Sequence, residues 1–263
     1  IEELLKDKTV IKLFTRPRRF GKTLNMSTLK YFFDIKNAEE NRKLFKDLYI
    51  EKSEYFKEQG QYPVIFITLK DFKKNTWEEM NFEIKELLRN LYDEFNFIRD
   101  TLSISDLREF DKIWLKEEDA NYDSSLLNLT KYLYNYYKKE VVLLIDEYDS
   151  QLITANQRGY YKDSINFFRN FLSLALKTNS YLKIGVLTGI VQVAKEGIFS
   201  GLNNVRTYNI LGDKFETFFG LSEEEVEEAL KYFEMTYEIE EVKRWYDGYK
   251  FGNSEVYNPW SII

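Results

Sequence analysis

The chain contains no cysteine and no histidine. Without cysteine there is no disulfide framework, no thiol nucleophile and no thiolate metal site. Without histidine there is no Ser-His-Asp triad, no imidazole base and no His-ligated zinc. Any bound metal is therefore expected to be a hard cation held by oxygens, and any general base a carboxylate. Proline and glycine are scarce, 3 and 11 in 263 residues, so most of the chain must lie in regular elements rather than linkers. No apolar run approaches the ~20 residues of a membrane helix and no signal-peptide pattern opens the chain, while the lack of cysteine predicts a cytoplasmic protein. A net charge of −6 argues against a dedicated nucleic-acid clamp. The opening Ile1 and the apolar ending "YNPWSII" predict a piece of a longer protein.

What is present is a large apolar and aromatic fraction, 44% and 17%, enough for a sizeable core. No repeat or low-complexity tract interrupts it. Short apolar runs at Val10–Thr15, Tyr62–Leu69, Val141–Asp149 and Tyr181–Gly189 predict buried strands, with a fifth near Arg206–Leu211. Between them lie helical patterns. Thr23–Phe33 presents Leu24, Leu29, Phe32 and Phe33. Trp77–Tyr137 divides near Asp100 and Asn121, and Tyr160–Lys177 aligns Ile165, Phe168, Leu172 and Leu176. Strands alternating with helices predict an α/β fold, a mostly parallel sheet covered on both faces. From Ser222 the pattern changes. Ser222 and Glu225 form a capping box ahead of an apolar stripe, so we expect a core over 1–221 and a small helical lid, or the start of a further region, over 222–263.

The chemistry concentrates in two places. "FTRPRRFGKT" follows the first strand and opens a helix with Lys-Thr, the arrangement in which backbone N–H groups and a helix N-terminus face phosphates. Lys22 is expected to reach the β/γ oxygens and Thr23 to ligate Mg²⁺. The nucleotide-binding stretch comprises Arg16, Pro17, Arg18, Arg19, Phe20, Gly21, Lys22, Thr23 and Leu24. Arg16 stands where the general phosphate-loop pattern has its first glycine. Pro17 can pre-set the backbone there. The second place is "VVLLIDEYD", a hydrophobic strand ending in acids. Ligands bind at the carboxyl ends of parallel strands, so Asp146 is positioned to hold Mg²⁺ and Glu147 to orient a water. The two acids could equally cap the next helix or lie in a solvated turn, but paired with the loop they read as Walker A and Walker B. Thr188, ending "VLT", is a candidate to hydrogen-bond the attacking water or the terminal phosphate.

Five segments, "LFTRPRRFGKTLNMSTLKYFF", "YPVIFITLKD", "LLIDEYDSQL", "LTGIVQVAKEGIFSGLNNVRTYNIL" and "RWYDGYKFGNSEVYNPWSI", resemble in order the bacterial AAA-ATPase-like proteins. The resemblance spans nearly the whole chain. It implies a P-loop NTPase fold of the ASCE, AAA-like type, with three layers, and an ATPase using ATP and Mg²⁺. Arg16 matches this family's own R-P-R-R-F-G-K-[ST] loop. Many relatives carry a C-terminal nuclease-like domain, which implies a protein or domain partner, with nucleic acid involved only indirectly. Many also have an arginine after "LTG", where this chain aligns Gln192. Lys195, Arg206 or Arg244 could substitute, and Arg18 and Arg19 already bring positive charge beside the phosphates. A nucleotide-dependent binding module with little hydrolysis is the alternative reading.

Overall fold

The computed structural model of the chain describes residues 1–192, 204–235, 239–246 and 248–262. Its centre is the strand Val141–Asp146, apolar until its final acid and buried at every position. Side chains alternate across a strand, and this one feeds two cores. Val141, Leu143 and Ile145 enter one, while Val142 and Leu144 enter the other. A strand apolar at every position suits only a sheet covered on both faces.

Four further strands join it. In chain order the five are β1 (Ile11–Thr15), β2 (Val64–Thr68), β3 (Val141–Asp146), β4 (Leu182–Gly189) and β5 (Val205–Tyr208). They lie in the order β2-β3-β4-β1-β5, every pair parallel. The register sets Thr68 beside Asp146, Ile145 beside Leu187 and Phe14 beside Thr188. The carboxyl ends of β1, β3 and β4 therefore open on one edge, with the β4 end between the loop strand and the acidic strand.

Parallel neighbours need long crossovers, and here helices supply them. Near the N-terminus are α1 (Glu2–Lys6), α2 (Lys22–Phe33) and α3 (Ala38–Arg42). The β2–β3 connection holds α4 (Trp77–Glu94), α5 (Ile104–Trp114) and α6 (Ser125–Tyr137), and its breaks fall where the sequence pattern breaks. Between β3 and β4 run α7 (Ser150–Arg158) and α8 (Tyr161–Leu176), the latter burying Ile165, Phe168, Leu172 and Leu176. Helices α4 to α8 cover one face, while α1, α2 and the short turns of residues 43–58 cover the other.

Residues 222–262 begin with α9 (Glu223–Tyr232), whose capping box forms as expected between Ser222 and Glu225. Then come α10 (Ile239–Trp245), a hairpin of β6 (Tyr249–Phe251) and β7 (Ser254–Val256), and α11 (Pro259–Ile262). Val226, Val242 and Tyr257 make a small cluster of their own, but Phe251 and Val256 belong to the sheet's second core. The hairpin is absent from the sequence-based reading, although Gly252-Asn253 between alternating residues is its signal. Two helical details also differ. Helix α7 was not anticipated, and Leu24 is exposed while Met26 is buried. Met26, Leu29 and Phe33 follow a 3.6-residue period, whereas Leu24 lies round the helix from Met26.

Candidate functional site

The loop between β1 and α2 is shaped by left-handed backbone. Gly21 caps α2 at φ 73°, and Arg19 has φ 69°. At Gly21 a Cβ would meet nothing closer than Asn25 Nδ2 at 4.0 Å, so the dihedral rather than space calls for glycine. Arg16 has no positive φ, which is why the missing first glycine costs the turn little.

Arg16 and Phe20 were expected among the nucleotide-binding residues, and the side chains of both point elsewhere. The Arg16 guanidinium is buried and donates to the carbonyls of Thr15 (3.0 Å), Tyr208 (2.8 Å) and Phe215 (3.0 Å). It also lies over the rings of Phe219 and Phe251. Burial lowers its pKa to about 10. Phe20 is fully buried against Tyr249 and Phe251. The reason is electrostatic and steric together. Fixed carbonyl dipoles and ring faces solvate the buried cation, and an apolar ring leaves water for the second core.

Asp146 is the hub of the remaining polar groups. It is completely buried at the end of β3. Its Oδ2 accepts from the Thr23 hydroxyl at 2.7 Å, and its Oδ1 from the Thr188 hydroxyl at 2.5 Å. Thr188 Oγ1 in turn accepts from the Glu147 N–H at 3.4 Å. The Lys22 ammonium is buried and donates to the carbonyls of Pro17 (2.8 Å) and Arg16 (3.2 Å). Burial lowers its pKa, opposed by the charges of Glu147, Asp146 and Asp149. Glu147 is half-buried in left-handed backbone at φ 53°. Burial raises its pKa and Asp146 adds to the rise, while Lys22 and Lys70 oppose it.

The next acid ties the strand ends together. Asp149 Oδ2 accepts from the N–H groups of Ile190 and Val191, both at 2.8 Å, and the Tyr148 hydroxyl donates to the Val191 carbonyl at 2.8 Å. Gly189 permits this approach, since a Cβ there would lie 2.6 Å from the Tyr148 ring and 2.8 Å from Asp149 Oδ1.

These groups border a cleft of about 690 Å³. Lys22, Thr23, Glu147, Arg18, Arg19, Gly21 and Leu24 line it, with Asp146 and Thr188 behind. Pro17 offers the carbonyl already described. Among the described residues the lining cations are Arg18, Arg19, Lys22, Lys70, Lys73 and Arg158, against the carboxylate of Glu147. Among the described residues no cluster of three or more acids forms a ready-made metal cage. A hydrated Mg²⁺ shared with phosphates needs no such cage, and a hydroxyl and a carboxylate oxygen 2.7 Å apart suit it.

Of the proposed arginine substitutes, Arg206 and Arg244 do not line the cleft. Arg206 reaches Asp7 at 3.9 Å and lies over Tyr208, and Arg244 is exposed on α10. Gln192 is exposed and uncharged, and Lys195 lies outside the described residues. Lys70, Lys73, Arg158 and Asp149 were missed in sequence, since single charged residues in a chain with 31% charge carry no local signal. Only the "DEYD" spacing pointed toward Asp149.

A family model described as "Predicted AAA-ATPase" matches residues 1–199. A relative from Azotobacter chroococcum mcd 1, named "Uncharacterized protein in vnfD 5'region", is 24% identical over 250 residues. The match covers 95% of this chain and 43% of that protein, so the chain spans less than half the length of that relative. No solved structure matches.

Proposed function

The chain belongs to the predicted AAA-ATPase family, and from that premise we propose that it binds ATP with Mg²⁺ in the cleft and hydrolyses it. The observation that carries this reading is the convergence on Asp146. Thr23 from the loop helix and Thr188 from β4 both donate to it, 2.7 and 2.5 Å away, beside Lys22 and Glu147. A chance Gly-Lys-Thr has no reason to meet a buried acid 123 residues further along.

In this reading the first turn of α2 and the loop N–H groups face the phosphates. Lys22 exchanges its two carbonyl partners for phosphate oxygens. Thr23 and Asp146 would hold Mg²⁺, which would neutralise phosphate charge when bound. Glu147 takes a proton from the attacking water. A bond forms between water oxygen and the terminal phosphorus as the bond from that phosphorus to the bridging oxygen breaks. The bridging oxygen keeps the electron pair and leaves as part of ADP. Thr188 fixes the Asp146 carboxylate and the Glu147 backbone, holding the two acids in register.

The output of the cycle is a change in the packing of residues 222–262, read as a unit against a core of 1–221. Phe20 and Arg19 support this reading, because the same loop contacts Tyr249, Phe251 and Trp260. Calorimetric titration with ATP and a single-turnover assay test the proposal. Lys22→Ala is expected to abolish binding. Glu147→Gln is expected to keep binding and lose about 10²-fold or more in rate. An unchanged rate in Glu147→Gln would remove the water-activating role and leave a nucleotide-dependent binding module.

A further inference from the structure

Hydrolysis leaves negative charge spread over the transferring phosphoryl group, and a cation reaching it accelerates the step by orders of magnitude. In this chain Gln192, just beyond β4, is neutral, and Arg206 is engaged elsewhere. The cleft nevertheless holds a cation on the Glu147 side that comes from β2.

Lys70 lies two residues beyond Thr68, the last residue of β2. Its position is set by the acidic strand. The Leu69 N–H donates to the Asp146 carbonyl at 3.0 Å, continuing the β2–β3 ladder past Thr68 and Asp146. The Ser150 hydroxyl donates to the Lys70 carbonyl at 3.4 Å. The backbone is thus held from both sides of Glu147, while the side chain is exposed and lines the same cleft as Lys22, Thr23 and Glu147. Among the described residues no carboxylate lies within ion-pairing distance of its ammonium, in contrast with Lys74, which reaches Glu83 at 2.6 Å. Lys22 and Lys70 thus line the cleft together with Glu147, one from the loop and one from just beyond β2.

We propose that Lys70 is a charge-stabilising catalytic residue, meeting the terminal phosphoryl oxygens in cis from the cleft wall it shares with Glu147. This rests on the ATPase reading and adds a group to its site. The bond changes are those given above. Lys70 keeps its proton throughout and contributes charge alone. Because it meets charge that grows in the transition state, its removal acts on rate more than on ground-state affinity.

The experiment compares the chain with its Lys70→Met, Lys70→Arg and Lys139→Met forms. Lys139 is an exposed lysine outside the cleft and serves as the control. Two quantities are measured on each, the single-turnover rate at saturating ATP and Mg²⁺, and the calorimetric affinity for ADP with and without aluminium fluoride, which mimics the transferring phosphoryl group. Lys70→Met is expected to lose about 10²-fold in rate and to lose the tightening by aluminium fluoride, with ADP affinity within threefold of the parent. Lys70→Arg is expected to recover most of the rate. An unchanged rate and unchanged tightening in Lys70→Met overturn the proposal, as does a loss of rate matched by an equal loss of ADP affinity. If the parent binds ADP but turns over no ATP, the ATPase reading fails, and the aluminium fluoride measurement still decides for or against Lys70. Absence of any nucleotide binding overturns both.

Discussion

Among the described residues no carboxylate pairs with the buried Arg16, and removing a charge from water is costly unless other groups replace its solvation. Arg16 does this with three carbonyls and two ring faces. Replacing it by methionine keeps the stem and strands those carbonyls. Arg16→Met is expected to lower stability by about 3 kcal/mol, read from denaturant unfolding, and to weaken ATP binding although the side chain does not line the cleft. Asp7 plays the complementary part beside β1. Its carboxylate accepts from the Tyr208 hydroxyl at 2.5 Å and from Lys214 at 3.2 Å, near the buried Lys12 ammonium. Burial opposes ionisation of Asp7, but the hydrogen bonds from Tyr208 and Thr9 prevail, and its pKa falls below the ordinary range. Burial brings Lys12 down to about 8. A depressed carboxylate pKa means stability present above the unfolded value of ~3.9 and lost as pH falls further, towards the folded value. Asp7→Asn is therefore expected to cost about 3 kcal/mol at pH 7, with the deficit narrowing below pH ~4 in unfolding curves taken across pH.

At the scale of elements, the site depends on how strand ends are tied beyond their last ladder bonds. The β3–β4 register ends at Ile145 and Leu187, and the Tyr148 N–H donates to the Thr188 carbonyl at 2.9 Å just beyond it. Asp149 and Tyr148 extend the tie by holding Ile190 and Val191. The tie works only with glycine at 189, since any Cβ collides with both groups. Gly189→Ala is expected to destabilise the protein by about 2 kcal/mol, measured by thermal or denaturant unfolding. It is also expected to slow hydrolysis more than it weakens binding, because Thr188 and the acids move together.

For the whole molecule, the phosphate loop is a joint between the sheet and the C-terminal segment. Phe20 packs on Tyr249 and Phe251, Arg16 on Phe219 and Phe251, and Arg19 lies over Trp260 with its guanidinium 5.0 Å from the ring centre. A change in loop conformation on nucleotide binding must then alter that packing, and linkage works in both directions. Phe251→Ala is expected to weaken ATP affinity about tenfold although Phe251 is absent from the cleft lining. Calorimetry on a variant shown by circular dichroism to remain folded checks this, and unchanged affinity would disconnect the two regions.

The five strands of the sheet, the long helices α2, α4 to α6 and α8, the loop with its lysine and threonine, and the acids closing β3 were legible in the sequence alone. Each is a local pattern, an apolar run of strand length, a helical period, or a charged residue at a strand end, and needs no knowledge of partners. The capping box at Ser222 was legible for the same reason. The direction of the Arg16 side chain was not, since its acceptors Tyr208 and Phe215 lie 192 and 199 residues away. Nor was the inward turn of Phe20, the clamp at Asp149, or the arrival of Lys70 beside Glu147. A lone lysine or aromatic acquires a role only from what the fold brings to it. Sequence determined which residues are proposed to carry phosphate chemistry, through covalent neighbours and periodicity. Tertiary packing alone decided which cations face the cleft and which are buried to hold the loop, because that choice depends on distant carbonyls and rings.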